Sequence, residues 1–401
     1  MYCYPKNSYL QSYYANVNPR LLNRCVIRAR KLRSDDIYDV SPEMQRLCSA
    51  QPAIPMEHDT DITRRTLAYG RNGLRILRRD LQDPDIEVVL KSLSTLNDLL
   101  RNPEKAYEAI KLKIPERLLT VIPRTGEFIR ERCSLTYQIL SNYMGGKQAM
   151  VDNPKILQLF VELLKDNKIE VRLKIANCLE RIASFWMTAD NLVDAGFIRH
   201  ILDRLMVDEP EVSMIHLETL THLMYGNGKL IAIENGAFDM LVLLLDCSDT
   251  EVRLRALRCL MLITSTDIGK QMANNSDLIL KVGRILCADE INLQLNAAAV
   301  LIFCTMLVKA KVMAAQTKLI PSRLIRLCKN HLNPNLQLLC FKALTNISEH
   351  PDVRIIMRTK HLKRIQDIVV TSDLLRIHKN RLLGVILWDP SDLKCTFGNQ
   401  D

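Results

Sequence analysis

Aromatic residues are scarce in this chain: Phe, Trp and Tyr make up 5% of 401 residues, with two tryptophans. Its interior must therefore be packed mainly by Leu, Ile, Val, Ala and Met. It has no CxxC pair, and its twelve cysteines are scattered. Neither a disulfide framework nor a paired-cysteine metal site is expected, and a reducing compartment is. Cys133, Cys178, Cys259, Cys304 and Cys340 fall on apolar-periodic helical segments, where a reduced thiol acts as a small apolar group. No apolar run reaches membrane-spanning length. The longest, Ala297 to Val308, is twelve residues broken by Thr305, against about 20 for a span. The sequence predicts a soluble chain with no membrane partner. Residues Tyr2 to Asn7 lead into no apolar core, so no secretory leader is expected.

Catalytic signatures are missing as well. Gly145-Gly146-Lys147 lacks the earlier glycine and the Ser or Thr of a phosphate-binding loop. Gly226-Asn227-Gly228-Lys229 reads as a turn between helices, and no HExxH or GxSxG occurs. His216 and His222 sit six apart on one helix, roughly 240° around it, so they cannot chelate one ion. They read as surface or groove histidines. A cysteine nucleophile meeting a histidine in space is the one catalytic arrangement left open. No catalytic, cofactor-binding or metal-ligating residue is assigned, and no cofactor or nucleic-acid partner is expected.

What is present is a repeat. Val88, Ile129, Val171, Val212, Val252, Leu293 and Leu336 fall 41, 42, 41, 40, 41 and 43 residues apart. Eight positions after each stand Leu96, Tyr137, Leu179, Leu220, Leu260, Leu301 and Leu344, so the register holds within the unit too. A period near 41 belongs to the armadillo/HEAT class. The prediction is an all-α, right-handed superhelical solenoid of about seven units with helical caps, in which each unit buries its apolar face against its neighbours. Each unit reads as a long helix, a loop, a short helix and a medium helix; in the third unit these are Ile169 to Ala183, about Ala189 to Ala195, and Phe197 to Leu205. Gly196 and Gly236 mark corners. Asp83-Pro84, Asp208-Glu209-Pro210 and Asn333-Pro334 supply start signals.

The solenoid is expected over residues 61–388, opened by a cap helix from Asp61 to Leu81 and closed by Asp373 to Leu387, where Ile377 continues the period 41 residues beyond Leu336. Residues 389–401 form a tail. Residues 1–60 form a separate, Tyr-rich block expected to be largely irregular. Of the net charge of +10, residues 1–34 supply seven Lys or Arg and no acid. Arg24, Arg28, Arg30, Lys31 and Arg33 alternate with apolar residues from Arg20 to Arg33, as in a short basic amphipathic helix. Three readings of it stand: an arm folded on the first repeat, a docking peptide for an acidic surface, or a mitochondrial transit peptide.

In armadillo proteins the long helix lines the concave face. Nuclear-import adaptors of that class carry a Trp there and, four residues on, an Asn, which clamp a basic peptide. Here the Trp column reads Ser94, Leu135, Asn177, Glu218, Arg258, Ala299 and Lys342. The Asn column reads Asp98, Ile139, Arg181, His222, Leu262, Phe303 and Asn346. Without aromatic walls for Lys or Arg stems, an import adaptor is disfavoured. The steady basic ladder of catenin-like binders of acidic tails is missing too. Asp98, Arg181, Glu218, His222, Arg258, Lys342 and Asn346 remain the candidate protein-binding residues, with the five basic residues of the arm.

The stretch Ala68-Tyr69-Gly70-Arg71, Leu81-Gln82-Asp83, Lys91, Asp98-Leu99-Leu100, Pro103-Glu104 and Ala106 to Ile110 resembles the opening of the radial spoke head fourteen homologues, the rhabdoid tumour deletion region proteins. The likeness is most specific over residues 66–112 and continues as a general repeat match to about residue 388. It implies a non-enzymatic scaffold of the radial spoke of motile cilia and flagella, in the cytoskeleton of the axoneme, with other spoke subunits as partners and a role in sperm motility. Tyr69 and Tyr107 are expected to pack the first units together. The rival reading is a cytoplasmic or nuclear adaptor for peptides of the import or degradation type.

Overall fold

The computed structural model describes residue 54 and residues 72–388 apart from 125, 227 and 318. Apart from Ile54, the arm of residues 1–60, with Arg24, Arg28, Arg30, Lys31 and Arg33, lies outside the described residues, as do residues 61–71 of the cap helix and residues 389–401. All described regular elements are helical, and they form two compact units that meet between Ile231 and Ala232.

In the first unit the long helices are α1 (Ile86–Leu99), α2 (Glu127–Leu140), α3 (Ile169–Ala183) and α4 (Pro210–Leu223). Each packs on the next, with a pair of shorter helices between: Pro103–Lys111 and Ile114–Val121, then Met144–Val151 and Pro154–Leu163, then Trp186–Asp194 and Phe197–Leu205. The third of the expected units is found with its long and medium helices as predicted. Its short helix begins at Trp186, three residues ahead of Ala189. The described part of the cap, Gly73–Asp80, buries Leu74 and Leu77 and leaves Arg75 and Arg79 exposed.

Why these segments are helices is plain in α3. Val171, Ile175, Cys178, Leu179 and Ile182 recur at helical spacing, and all are buried. Fully burying a residue of this size stabilises by about 1.5–3 kcal/mol, which a helix of this length cannot gain alone. Six of the seven expected markers are buried, and so are all seven residues eight positions on. The exception is Val88, which is half-buried, while Val89 is 4% exposed. Helix α1 packs on the cap helix, and its first turn brings Val89 inward.

The second unit repeats the plan with α5 (Thr250–Thr264), α6 (Ile291–Cys304), α7 (Pro334–Ser348) and the closing helix α8 (Asp373–Leu387), again packed in sequence. Here the period fails at its end. Ile377 is 62% exposed, and the core residues of α8 are Leu375, Leu382 and Ile386. The last helix turns a different face inward from the one the 41-residue count selects.

Corners are built in two ways. Gly196 and Gly236 adopt φ of +79° and +77° ahead of Phe197 and Ala237, a left-handed conformation natural to glycine. Lys113 takes φ +56° at the matching corner ahead of Ile114. Where the short helix meets the end of the preceding long helix, backbone approaches backbone. A Cβ on Gly146, Gly228 or Gly269 would stand 2.1, 2.3 or 2.1 Å from the carbonyl oxygen of Leu140, Leu223 or Ile263. At the equivalent place Thr188 donates its hydroxyl to the Ile182 carbonyl at 2.6 Å. Gly228 therefore belongs to helix Gly228–Glu234, and Gly145-Gly146-Lys147 lies within Met144–Val151.

Start signals are used more sparingly than expected. Asp85 and Asp249 accept from main-chain N–H groups at the starts of α1 and α5. Pro84 precedes α1 instead of sitting in its first turn, and Asn333 makes no capping bond. Asp208 does not cap α4, because its carboxylate is engaged in an ion network.

Candidate functional site

The residues of the two columns on the long helices are mostly half-buried. In the first unit Asp98, Glu218 and His222 are half-buried, while Leu135 and Ile139 are buried. Arg181 donates Nη1 to the Gln138 carbonyl on α2 at 2.9 Å. His222 Nε2 stands 3.4 Å from Glu180 Oε1 on α3. In the second unit Arg258, Lys342 and Asn346 are half-buried, and Asn346 Nδ2 donates to the Ile302 carbonyl on α6 at 2.9 Å. Arg181 and Asn346 thus tie neighbouring long helices together, the same place in the unit doing the same work with different donors. Near Lys342, burial and the charges of Lys342 and Arg381 hold His378 below its ordinary pKa.

His216 is not a surface histidine. Its side chain is 1% exposed, and Nε2 lies 3.2 Å from Asp208 Oδ2. The Asp208 side chain is itself fully buried and also meets Arg172 Nε at 3.0 Å and Arg204 Nε at 3.2 Å. Burial pushes the Asp208 carboxyl up, but the His216 and Arg204 hydrogen bonds and charges outweigh it and hold the group down to about 2. Arg172 extends the network to Glu209 and to the Asp166 and Asn167 carbonyls. One unit earlier Arg130 pairs with Asp166 at 2.5 Å.

These arginines hold a ladder position the column reading passed over, the residue immediately after the buried marker. Ser213 there donates to the Leu205 and Asp208 carbonyls, Gln294 to Ala288 at 2.5 Å, and Gln337 to Cys328 at 2.7 Å. Each side chain satisfies the loop that precedes its own helix. The sequence signal was a polar residue set between apolar core positions, with an acid 36 residues on from Arg130 and Arg172.

Cysteines on the long helices behave as apolar residues: Cys133, Cys178, Cys259, Cys304 and Cys340 are buried free thiols. Burial pushes Cys178 and Cys304 up to about 12, so these thiols stay protonated. Among the described residues no cluster of His, Cys, Asp and Glu could hold a metal ion. No described helix is long and apolar enough to cross a membrane. Tyr107 is half-buried under the Lys111 ammonium, 4.6 Å from its ring centroid; Tyr69 lies outside the described residues.

Comparison with known proteins agrees with this architecture. A HEAT-repeat family model matches residues 156–186, the stretch from the medium helix of one unit through α3. An engineered protein of known crystal structure is similar at 21% identity, with 79% of this chain and 78% of that chain covered and a TM-score of 0.70. A designed armadillo repeat protein is similar at 20% identity over 58% of this chain and 99% of that one, TM-score 0.51. Another designed armadillo repeat protein, in complex with the peptide (KR)4, is similar at 22% identity over 58% and 99%, TM-score 0.53. The chain is thus an armadillo/HEAT-type repeat protein, an all-α solenoid.

Proposed function

We propose that this chain is a non-enzymatic scaffold subunit of the radial spoke of motile cilia and flagella, and that its long helices hold neighbouring axonemal proteins. The observation that carries the binding role is the pair of columns. Half-buried polar or charged residues occupy one or both of these positions on α1, α3, α4, α5 and α7, with apolar residues at both on α2 and α6. Such a surface suits a folded or helical partner, and a stable complex buries about 1,600 Å² in all. The radial spoke setting rests on residues at the end of α1 and in the following helix that resemble the spoke head family, Asp98-Leu99-Leu100, Pro103-Glu104 and Ala106 to Ile110.

A tagged full-length chain in ciliated cells tests the setting. Retention in demembranated axonemes, with release by high salt only alongside spoke proteins, is expected. A diffuse cytoplasmic or nuclear signal would overturn it and bring the peptide-adaptor reading forward. That second reading draws on the designed relative bound to (KR)4. Two features oppose it here: no Trp stands in either column, and the Arg181 guanidinium is already engaged with Gln138. Titration with (KR)4 is expected to give no saturable binding at physiological salt.

A further inference from the structure

Arginine stands at the ladder position three times among the described long helices: Arg130, Arg172 and Arg253. In the first two cases a carboxylate from the loop 36 residues on closes over the guanidinium, Asp166 on Arg130 and Asp208 on Arg172. The same count from Arg253 reaches Asp289. Asp289, however, is exposed, and no ion pair joins it to Arg253. What stands in place of the carboxylate is a pocket of about 420 Å³, open to solvent and lined by Asp246, Cys247, Arg253, Lys281, Arg284 and Ala288 with their apolar neighbours.

Its charges are unevenly matched. Lys281 is answered by Asp246 at 2.7 Å, by Asp277 at 3.7 Å and by the Val242 carbonyl at 3.2 Å. Arg253 has one side-chain hydrogen bond, from Nη2 to the Thr250 hydroxyl at 3.2 Å, and its buried Nε has no partner. Arg284 is exposed, and no carboxylate among the described residues lies within ion-pair reach of it. Two guanidiniums therefore line one cavity whose lining carboxylate, Asp246, is paired with Lys281 instead. A planar guanidinium donates to a carboxylate in a two-pronged fork, and such bonds strengthen where water is partly excluded.

We propose that this pocket binds an acidic side chain presented by a short segment of a partner protein, which takes the place that Asp208 takes on Arg172. The first unit supplies the template for the ligand: two adjacent acids, Asp208 and Glu209, carried ahead of a proline. In the second unit that role passes to another molecule. The proposal rests on the scaffold reading only in that the ligand is a protein segment, and its test needs no cilium.

The probe is a fluorescent five-residue peptide with the sequence of residues 207–211, Val-Asp-Glu-Pro-Glu, titrated into the full-length chain at low salt and followed by anisotropy. Saturable binding is expected, weakened at least tenfold by Arg253→Gln and several-fold by Arg284→Gln. The second variant alters an exposed residue, so unchanged helical circular dichroism separates loss of binding from loss of fold. Arg253→Lys is expected to bind more weakly than wild type, because charge alone does not restore the fork. A peptide with Asn and Gln in place of its first two acids is expected not to bind. No saturation by the wild type, or equal affinity in wild type and both glutamine variants, would overturn the proposal. So would inorganic phosphate binding more tightly than the peptide, since the ligand would then be a phosphate. None of these outcomes bears on axonemal retention, so the two readings fail separately.

Discussion

Asp208→Asn removes the one carboxylate shared by Arg172, Arg204 and His216. Its magnitude follows from burial. The Asp208 side chain is fully buried and that of Arg172 is 8% exposed, so water replaces little of what is lost. Breaking a buried pair from one side costs about 3–5 kcal/mol. Arg172 keeps Glu209 and two main-chain carbonyls, which points to the lower end, about 3 kcal/mol. At about 1.4 kcal/mol for each factor of ten, local opening becomes roughly a hundredfold more frequent. Repeat arrays open by neighbouring units instead of all at once, so the assay is amide hydrogen exchange resolved over residues 169–223. Glu209→Gln is the control, because Glu209 is 49% exposed and an ion pair so open to water contributes little to stability. If Asp208→Asn exchanges no faster than Glu209→Gln, the buried carboxylate is not what closes this corner and the reasoning is refuted.

The same network sets a pH dependence. Asp208 titrates at about 2 in the folded chain, below the roughly 3.9 of a free aspartate. A carboxyl depressed on folding contributes stability that is complete above about pH 4 and is lost as pH falls through the folded value near 2. Protection of residues 169–223 should therefore decline between about pH 4 and pH 2 in the wild type, and more shallowly in Asp208→Asn. Parallel declines in the two proteins would assign the acid sensitivity to other carboxylates.

Two further predictions concern the backbone and a third the core. Gly384→Ala should stabilise by up to about 1 kcal/mol, because an added Cβ meets nothing within 4 Å, whereas Gly146→Ala should destabilise, because its Cβ would stand 2.1 Å from the Leu140 carbonyl; urea midpoints moving in the same direction would contradict this. Gly196→Ala should cost about 1–2 kcal/mol by forcing a side chain into the left-handed region, and Lys113→Gly, at φ +56°, should gain a fraction of that by relieving it. Leu179→Asp places a charge at a residue 1% exposed and should unfold its neighbours, a loss above about 4 kcal/mol; an unchanged circular-dichroism melt would mean that the repeat register is wrong.

The period was legible because it is written in the largest energetic term. Each long helix buries the same apolar positions, and a core residue replaced by a polar one costs enough to keep the pattern visible. Val88 and Ile377 were misread where that pressure relaxes. Each lies on a helix at one end of the described array, which has a long-helix neighbour among the described residues on one side alone, and the buried face rotates by about one residue or more. The caps were harder to read for a different reason. An Asp before a helix gains only about 1 kcal/mol by capping it, and Asp208 gains more from Arg172, Arg204 and His216, so a short-range rule gives way to a contact from another helix.

The column residues show how far position in the unit determines role. Arg181 and Asn346 are candidate binding residues because their place faces a groove in other armadillo proteins, and both are half-buried. Yet each donates to a carbonyl on the preceding long helix, so truncating either tests stacking before it tests recognition. Arg253 stands in neither column, and the two other arginines at its place in the unit are structural. The repeat turns that into information: a place filled by an internal carboxylate in two units and by an open pocket in a third is where a solenoid can recruit a partner without altering its own packing. A partner's carboxylate held there would replace an interaction the fold already knows how to accommodate, so binding should leave the helices on either side of the pocket unmoved.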